Sequence, residues 1–231
     1  MKLISEPYIL LTITIGIYWL TKYLQNKTNS VFLNPILITI IAVIAILKAA
    51  GISYDTYHEA GKYIEFFLKP SIVALGVPLY LQISKIKKQV IPIVISQLVG
   101  AIVGIISGVL IAKWLGASNE VIISIAPKSV TTPLAIDIST SIGGIPSLTA
   151  SMVVMVGIFG SVAGFKILQL FKVKNPMSKS LSMGTASHGL GTAQAMAISQ
   201  RFGAYSSMGL ILNGLFTALF TPIILALLGL I

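Results

Sequence analysis

Two short polar segments interrupt an otherwise apolar chain, PKSVTTP at residues 127 to 133 and GTASHGLGTA at residues 184 to 193, and each carries one ionisable side chain. In the first, Lys128 supplies a compact cation, and Ser129, Thr131 and Thr132 supply hydroxyls that both donate and accept hydrogen bonds. That combination suits a small carboxylate. The competing reading has Lys128 snorkelling to an interface while the hydroxyls satisfy backbone freed by Pro127 and Pro133. In the second segment His188 has Thr185, Ser187 and Thr192 within about a helical turn, and Gly184, Gly189 and Gly191 permit close backbone approach. An imidazole changes charge near neutral pH, so His188 is a proton-coupling candidate; the competing reading is a neutral histidine hydrogen-bonded between helices. Asp137 is the other titratable candidate, either paired with Lys128 across a hairpin or facing water near Ser139 and Thr140.

The elements that must position these residues follow from composition. Of 231 residues 10% are charged and 55% hydrophobic, with a mean hydropathy of +0.95, against roughly 25% charged in a soluble domain. The expected class is an all-α integral membrane protein. The formal charge of +10 lies mainly in short loops, where lysines act as topology signals facing anionic lipid, and nucleic acid is not an expected partner. With no cysteine there is no disulfide, thiolate metal site or thiol nucleophile.

Catalysis is not expected. Hydrolytic chemistry in a membrane needs a nucleophile with its base, or paired carboxylates, and the chain offers one buried-looking Asp and two His. Neighbours such as Lys128 and Ser129 point about 100° apart on a helix and do not face each other. GTASHGLGTA lacks the lysine of a phosphate-binding loop, so ATP-driven action is not expected; without cysteine zinc-type chemistry is not expected either, and no cofactor or metal enters the reading.

Apolar runs fall at about residues 7 to 25, 32 to 50, 64 to 83, 89 to 113, 146 to 170 and 204 to 230, which predicts six full spans. The first ends in Trp19, Lys22 and Tyr23, an interface belt, and reads as a retained span. Residues 51 to 62 carry Asp55, His58, Glu59 and Lys62 at helical spacing and predict an amphipathic surface helix. Pro70 and Pro78 kink the third span, and Asn213 in the last is read as an interhelical hydrogen bond. Two further segments, residues 120 to 142 and 177 to 200, are long enough to cross but are broken at Pro127 and Pro133 and at Gly184, Gly189 and Gly191. The whole of 1 to 231 reads as a single polytopic domain, with peripheral spans and a surface helix over 1 to 62 and a core over 63 to 231.

Loop charge bears on the path of the broken segments. With the loop of Lys22 and Lys27 inside, Lys85, Lys87 and Lys88 fall on the same side. The basic loop of Lys166, Lys172, Lys174 and Lys179 joins them if both broken segments are re-entrant and enter from opposite sides. The alternative has both segments crossing, eight spans in all, and that loop outside. The re-entrant layout implies an inverted repeat, the architecture of secondary transporters.

The same segments carry a resemblance. PKSVTTPLA (127 to 135), SIGGIPSLTA (141 to 150), MGTASHGLGTAQA (183 to 195) and KPSIVALGVPLY (69 to 80) are similar to signature segments of the LrgB/CidB family of bacterial membrane proteins, over about residues 60 to 225. Asp137 departs from the family pattern, where a small or neutral residue is more usual. The resemblance implies the bacterial plasma membrane, an antiholin-like or holin-like role in murein hydrolase activity and autolysis, and a smaller LrgA/CidA-like membrane partner. It equally implies kinship with pyruvate transport in bacteria and glycolate/glycerate exchange in plastids. Two expectations therefore stand. One is secondary transport or facilitated export of a small monocarboxylate, with Lys128, Ser129, Thr131, Thr132, Thr185, Ser187, His188 and Thr192 at the substrate and His188 or Asp137 carrying a proton. The other is a holin-like regulator acting through homo-oligomers in the bilayer.

Overall fold

In the computed structural model, residues 6–28, 34–67, 70, 73–74 and 76–231 are described, the side chains of residues 78, 79 and 85 excepted. The described residues contain helices and no strand. By contact density the chain divides into a unit of Met1–Ala74 and a unit of Leu75–Ile231.

The first unit holds α1 (Pro7–Thr28), α2 (Pro35–Ala50) and α3 (Tyr54–Phe66). Local chemistry sets the ends of α2. Asn34 accepts from the backbone N–H groups of Ile36 and Leu37, Pro35 occupies the first turn, and Gly51 takes φ 64 to close the last carbonyls. The expected surface helix is present as α3, capped by Ser53 and running on to Phe66. Its Glu59 and Lys62 form an exposed ion pair at 2.5 Å, and the Lys62 ammonium holds the Glu59 carboxyl below its usual range. Exposed pairs contribute little, so Lys62→Ala is expected to leave the unfolding midpoint within about 1 °C.

The third predicted span, residues 64 to 83, is not one helix. Its described parts are the end of α3 and the short helix α4 (Gly76–Leu81), which includes Pro78; Pro70 stands apart from both, and residues 68, 69, 71, 72 and 75 lie outside the described residues. Then follow α5 (Ile83–Lys87), α6 (Val90–Trp114), α7 (Asn119–Ile125), α8 (Thr132–Ser141), α9 (Pro146–Leu170), α10 (Pro176–Ile198) and α11 (Gln200–Leu227). Among the described residues α6, α9 and α11 are long and apolar enough to cross a membrane.

In the second unit the last helix turns an apolar face outward and buries most of its polar side chains. On α11, Ile211, Leu215, Leu219, Ile223 and Leu227 are exposed at a four-residue period, while Ser206, Ser207, Asn213, Thr217 and Thr221 are buried. A large apolar face turned outward is stable only against lipid or another protein.

Candidate functional site

Each broken segment folds back on itself. In the first, α7 and α8 run in opposite directions around residues 126 to 131. The fold-back is fixed by Thr149 at the start of α9, whose hydroxyl lies 3.0 Å from Ser124 O of α7 and 2.7 Å from Ser139 Oγ near the end of α8. Ser124 Oγ in turn accepts from Ile145 N at 2.7 Å. Pro127 is buried in the turn and Pro133 sits in the first turn of α8, where its missing N–H costs nothing.

In the second, α10 breaks at His188, which has φ 42 and ψ −132. A methyl group built on Gly191 would meet Met183 O and would come within 2.6 Å of the Ser187 Cβ. Eight residues of straight helix span about 12 Å, so the chain has reversed. Both arms then reach one residue of α11. Gly184 packs on Ser206 O, and Thr192 Oγ1 lies 3.1 Å from Ser206 Oγ. The reversal falls on a histidine and not on the neighbouring glycines, so a non-glycine residue holds a positive φ at a cost of order 1–2 kcal/mol. Its ring is fixed by donation from Nε2 to Val153 O at 2.9 Å, and only 5% of the residue is exposed.

Glycine-lined helices bring the two hairpins together. On α6, a Cβ added at Gly100 would lie 3.1 Å from Thr185 Cγ2, one at Gly104 3.9 Å from Ser129 Oγ, and one at Gly108 3.1 Å from Lys128 Cε. On α9, Gly157 is set against His188, Gly160 against Ser187 and Gly164 against Met183. Asn213 of α11 joins the two segments directly, its Nδ2 donating to Ser129 O and to Thr185 O at 3.0 Å each.

Two cavities flank this junction. One, of about 360 Å³, is lined by Ser96, Gln97, Ser129, Thr185, Asn213 and Thr217 among others. The second, about 350 Å³, contains Lys128 with Ser107, Ser129 and Ser187. Gly104, Ser129, Ser182 and Ala186 line both. Lys128 Nζ donates to Gly104 O at 2.6 Å, keeping the ammonium against α6.

Of the residues singled out in sequence, Lys128, Ser129, Thr185 and Ser187 line these cavities. Thr131 and Thr132 start α8 and line neither, and His188 and Thr192 sit in the fold of α10, with Thr192 Oγ1 donating to His188 O. Asp137 is exposed on α8, and the Lys128–Asp137 ion pair is not formed; among the described residues the one ion pair is Glu59–Lys62. Gly189 has open space around it and Gly191 makes the close approach. Gln97 and Thr217 line a cavity without having stood out in sequence, and Asn213 does more than bond one helix to another. A lone amide at 97 in an apolar run was the available signal.

The fold and site define an all-helical protein in which two helical hairpins with polar tips meet between three helices of membrane-crossing length. The chain belongs to the LrgB-like family, whose pattern matches residues 14–227. It is 33% identical over 222 residues to the Holin-like protein CidB of Staphylococcus epidermidis, covering 96% of this chain and 97% of that one. It is 33% identical to the uncharacterized protein YwbG of Bacillus subtilis, covering 94% and 96%, and 34% identical to YxaC of the same organism, covering 94% of each. No solved structure matches the chain.

Proposed function

We propose that this protein is a multi-pass protein of the bacterial plasma membrane that moves a small monocarboxylate such as pyruvate or glycolate. The observation that carries the reading is the junction of two helical hairpins, tied by Asn213, at cavities holding one cation and a set of hydroxyls. Polar irregular backbone among lipid-facing helices is tolerated where it lines a cavity, and paired broken helices near the midplane are how secondary transporters build substrate sites. In this reading the hairpins are re-entrant from opposite sides, the layout is an inverted repeat of six spans, and Lys128 holds the carboxylate with Ser129 and Ser187 nearby. The chain has no cysteine of its own, so single cysteines at Lys172 and Lys174 report topology cleanly. Both are expected to label from the cytoplasmic side; labelling from outside would replace six spans by eight.

Uptake of labelled pyruvate and glycolate into proteoliposomes tests the transport. Lys128→Ala is expected to lower kcat/KM by tenfold to about a hundredfold, the range for losing a hydrogen bond to a charged group, with Lys128→Arg retaining part of it. His188 carries the coupling proton in this reading, with Asp137 the second candidate. His188→Gln keeps an N–H for Val153 O but does not titrate, so uptake is expected to persist with a flattened pH profile; an unchanged profile would assign the histidine to structure alone.

A second reading is favoured by the name of a relative, Holin-like protein CidB. In it the exposed apolar face of α11 packs homo-oligomers or a small LrgA/CidA-like membrane protein, and the function is control of murein hydrolase release. Dye leakage that rises steeply with protein density supports that reading. Uptake absent in every variant, with and without such a partner, sinks the first.

A further inference from the structure

Two buried amides meet at Thr185 in opposite orientations. The Thr185 hydroxyl donates to Gln97 Oε1 at 2.5 Å, and the Thr185 carbonyl accepts from Asn213 Nδ2 at 3.0 Å. Gln97 has thereby committed its oxygen and keeps both protons of its Nε2. Asn213 is turned the other way: its two Nδ2 protons go to Ser129 O and Thr185 O, and Oδ1 remains an acceptor. Both residues line the cavity of about 360 Å³, at 3% and 1% exposure. Among the described residues only Gln82 Oε1 and Ser207 Oγ are side-chain polar atoms sealed in protein without a partner. Gln97 Nε2 and Asn213 Oδ1 have no protein partner and are not sealed, so they open on the cavity.

The cavity therefore offers a fixed amide donor and a fixed amide acceptor, tied to one another through a single residue. A solute oxygen that satisfies both must accept from Gln97 and donate to Asn213. A hydroxyl does this, whereas a carbonyl or carboxylate oxygen only accepts and a methylene does neither. An analogue without the hydroxyl leaves a buried polar group unpaired, which is how a site built for a hydroxyl rejects its near relatives. The hydroxyls of Ser129 and Ser182 line both this cavity and the one containing Lys128, and neither donates to another described residue. A carboxylate at that shared wall accepts from the two serines and has the Lys128 ammonium on the far side.

We propose that Gln97 and Asn213 read a hydroxyl on the solute, so that this protein selects a 2-hydroxy monocarboxylate over its 2-oxo and unsubstituted counterparts. That the bound acid is also moved rests on the transport reading; the selection of a hydroxyl does not. Of the two acids named above, glycolate is the one that carries it. The probes are lactate, pyruvate and propionate, which share three carbons and a carboxylate ionised at pH 7 and differ at the second carbon. Each is titrated by ligand-observed NMR against the full chain in detergent, and each is supplied to proteoliposomes for uptake.

Lactate is expected to bind about tenfold more tightly than pyruvate, and tenfold to about a hundredfold more tightly than propionate. Gln97→Met is close in volume, removes the donors and leaves the Thr185 hydroxyl its contact with Leu181 O at 2.8 Å. It is expected to lower the ratio of lactate to propionate affinity about tenfold. A folding defect lowers the bound fraction of every acid and leaves their ratio, so the ratio is the readout. Gln97→Glu keeps an acceptor for Thr185 but sets a negative charge where the donors were, and is expected to abolish lactate binding at pH 7. Pyruvate or propionate binding as tightly as lactate overturns the inference and, if pyruvate is taken up, leaves the transport reading standing. An unchanged ratio in Gln97→Met, or lactate binding retained in Gln97→Glu, also overturns it. Selective lactate binding without uptake of any acid does the reverse, supporting the hydroxyl site and removing transport.

Discussion

Gly184→Ala is expected to lower the unfolding midpoint of the purified protein by about 10 °C, a large effect for one added methyl group. An added Cβ at this position would lie 2.8 Å from the carbonyl carbon of Ser206 and 2.9 Å from the amide nitrogen of Leu210, besides meeting Ser206 O. These are main-chain atoms of α11, which cannot swing aside as a side chain does. Overpacking costs of about 1–3 kcal/mol apply where neighbours yield, so the upper end is appropriate. Relief would separate α10 from α11, and with it Ser180 from Phe202 O and Thr192 from Ser206. Gly189→Ala is the control, since a methyl there meets nothing within 4 Å; its midpoint is expected to stay within about 2 °C. Equal stability of the two variants, by thermal unfolding in detergent, would refute the close packing of α10 on α11.

Asn213→Leu is expected to lower the maximal uptake rate roughly thirtyfold, at about 1 kcal/mol for each of two donated bonds. Leucine is close in size but has no donor, so Ser129 O and Thr185 O lose the group that holds them to one point. Asn213→Asp removes the same donors and places acceptors against those two carbonyls, so it is expected to be at least as severe. The diagnostic readout is modification of a single cysteine introduced at Ala186, where the two cavities share a wall. With the Asn213 amide in place, its labelling rate reports one arrangement of the hairpins. In the Asn213→Leu variant labelling is expected to rise several-fold, with the unfolding midpoint lowered by about 4–8 °C for the two lost bonds. A fall in stability with unchanged labelling would make Asn213 a packing residue only.

Much of this was legible in the chain. Apolar runs near residues 90, 146 and 204 became α6, α9 and α11, because a helix in lipid must satisfy its own backbone and shows it as an unbroken run of apolar residues. The two breaks were equally visible, since a helix facing lipid along its whole length does not carry clustered hydroxyls and prolines at its middle. Sequence identified Lys128 and His188 as the ionisable groups at those breaks. It did not place them together or apart.

Only the tertiary structure decided that both broken segments fold back, that Lys128 lines a cavity while His188 fixes a turn, and that Asp137 faces outward. The reason is the range of the contacts involved. Hydropathy and helix-breaking act over a few residues and are written locally. The ties from Thr149 to Ser124 and Ser139, from Thr185 to Gln97, and from Asn213 to both hairpins link residues 10 to 88 positions apart. Nothing in the spacing of Gln97 and Asn213 marks them as neighbours of one cavity; the glycine faces of α6 and α9, which let backbones approach closely, bring them there.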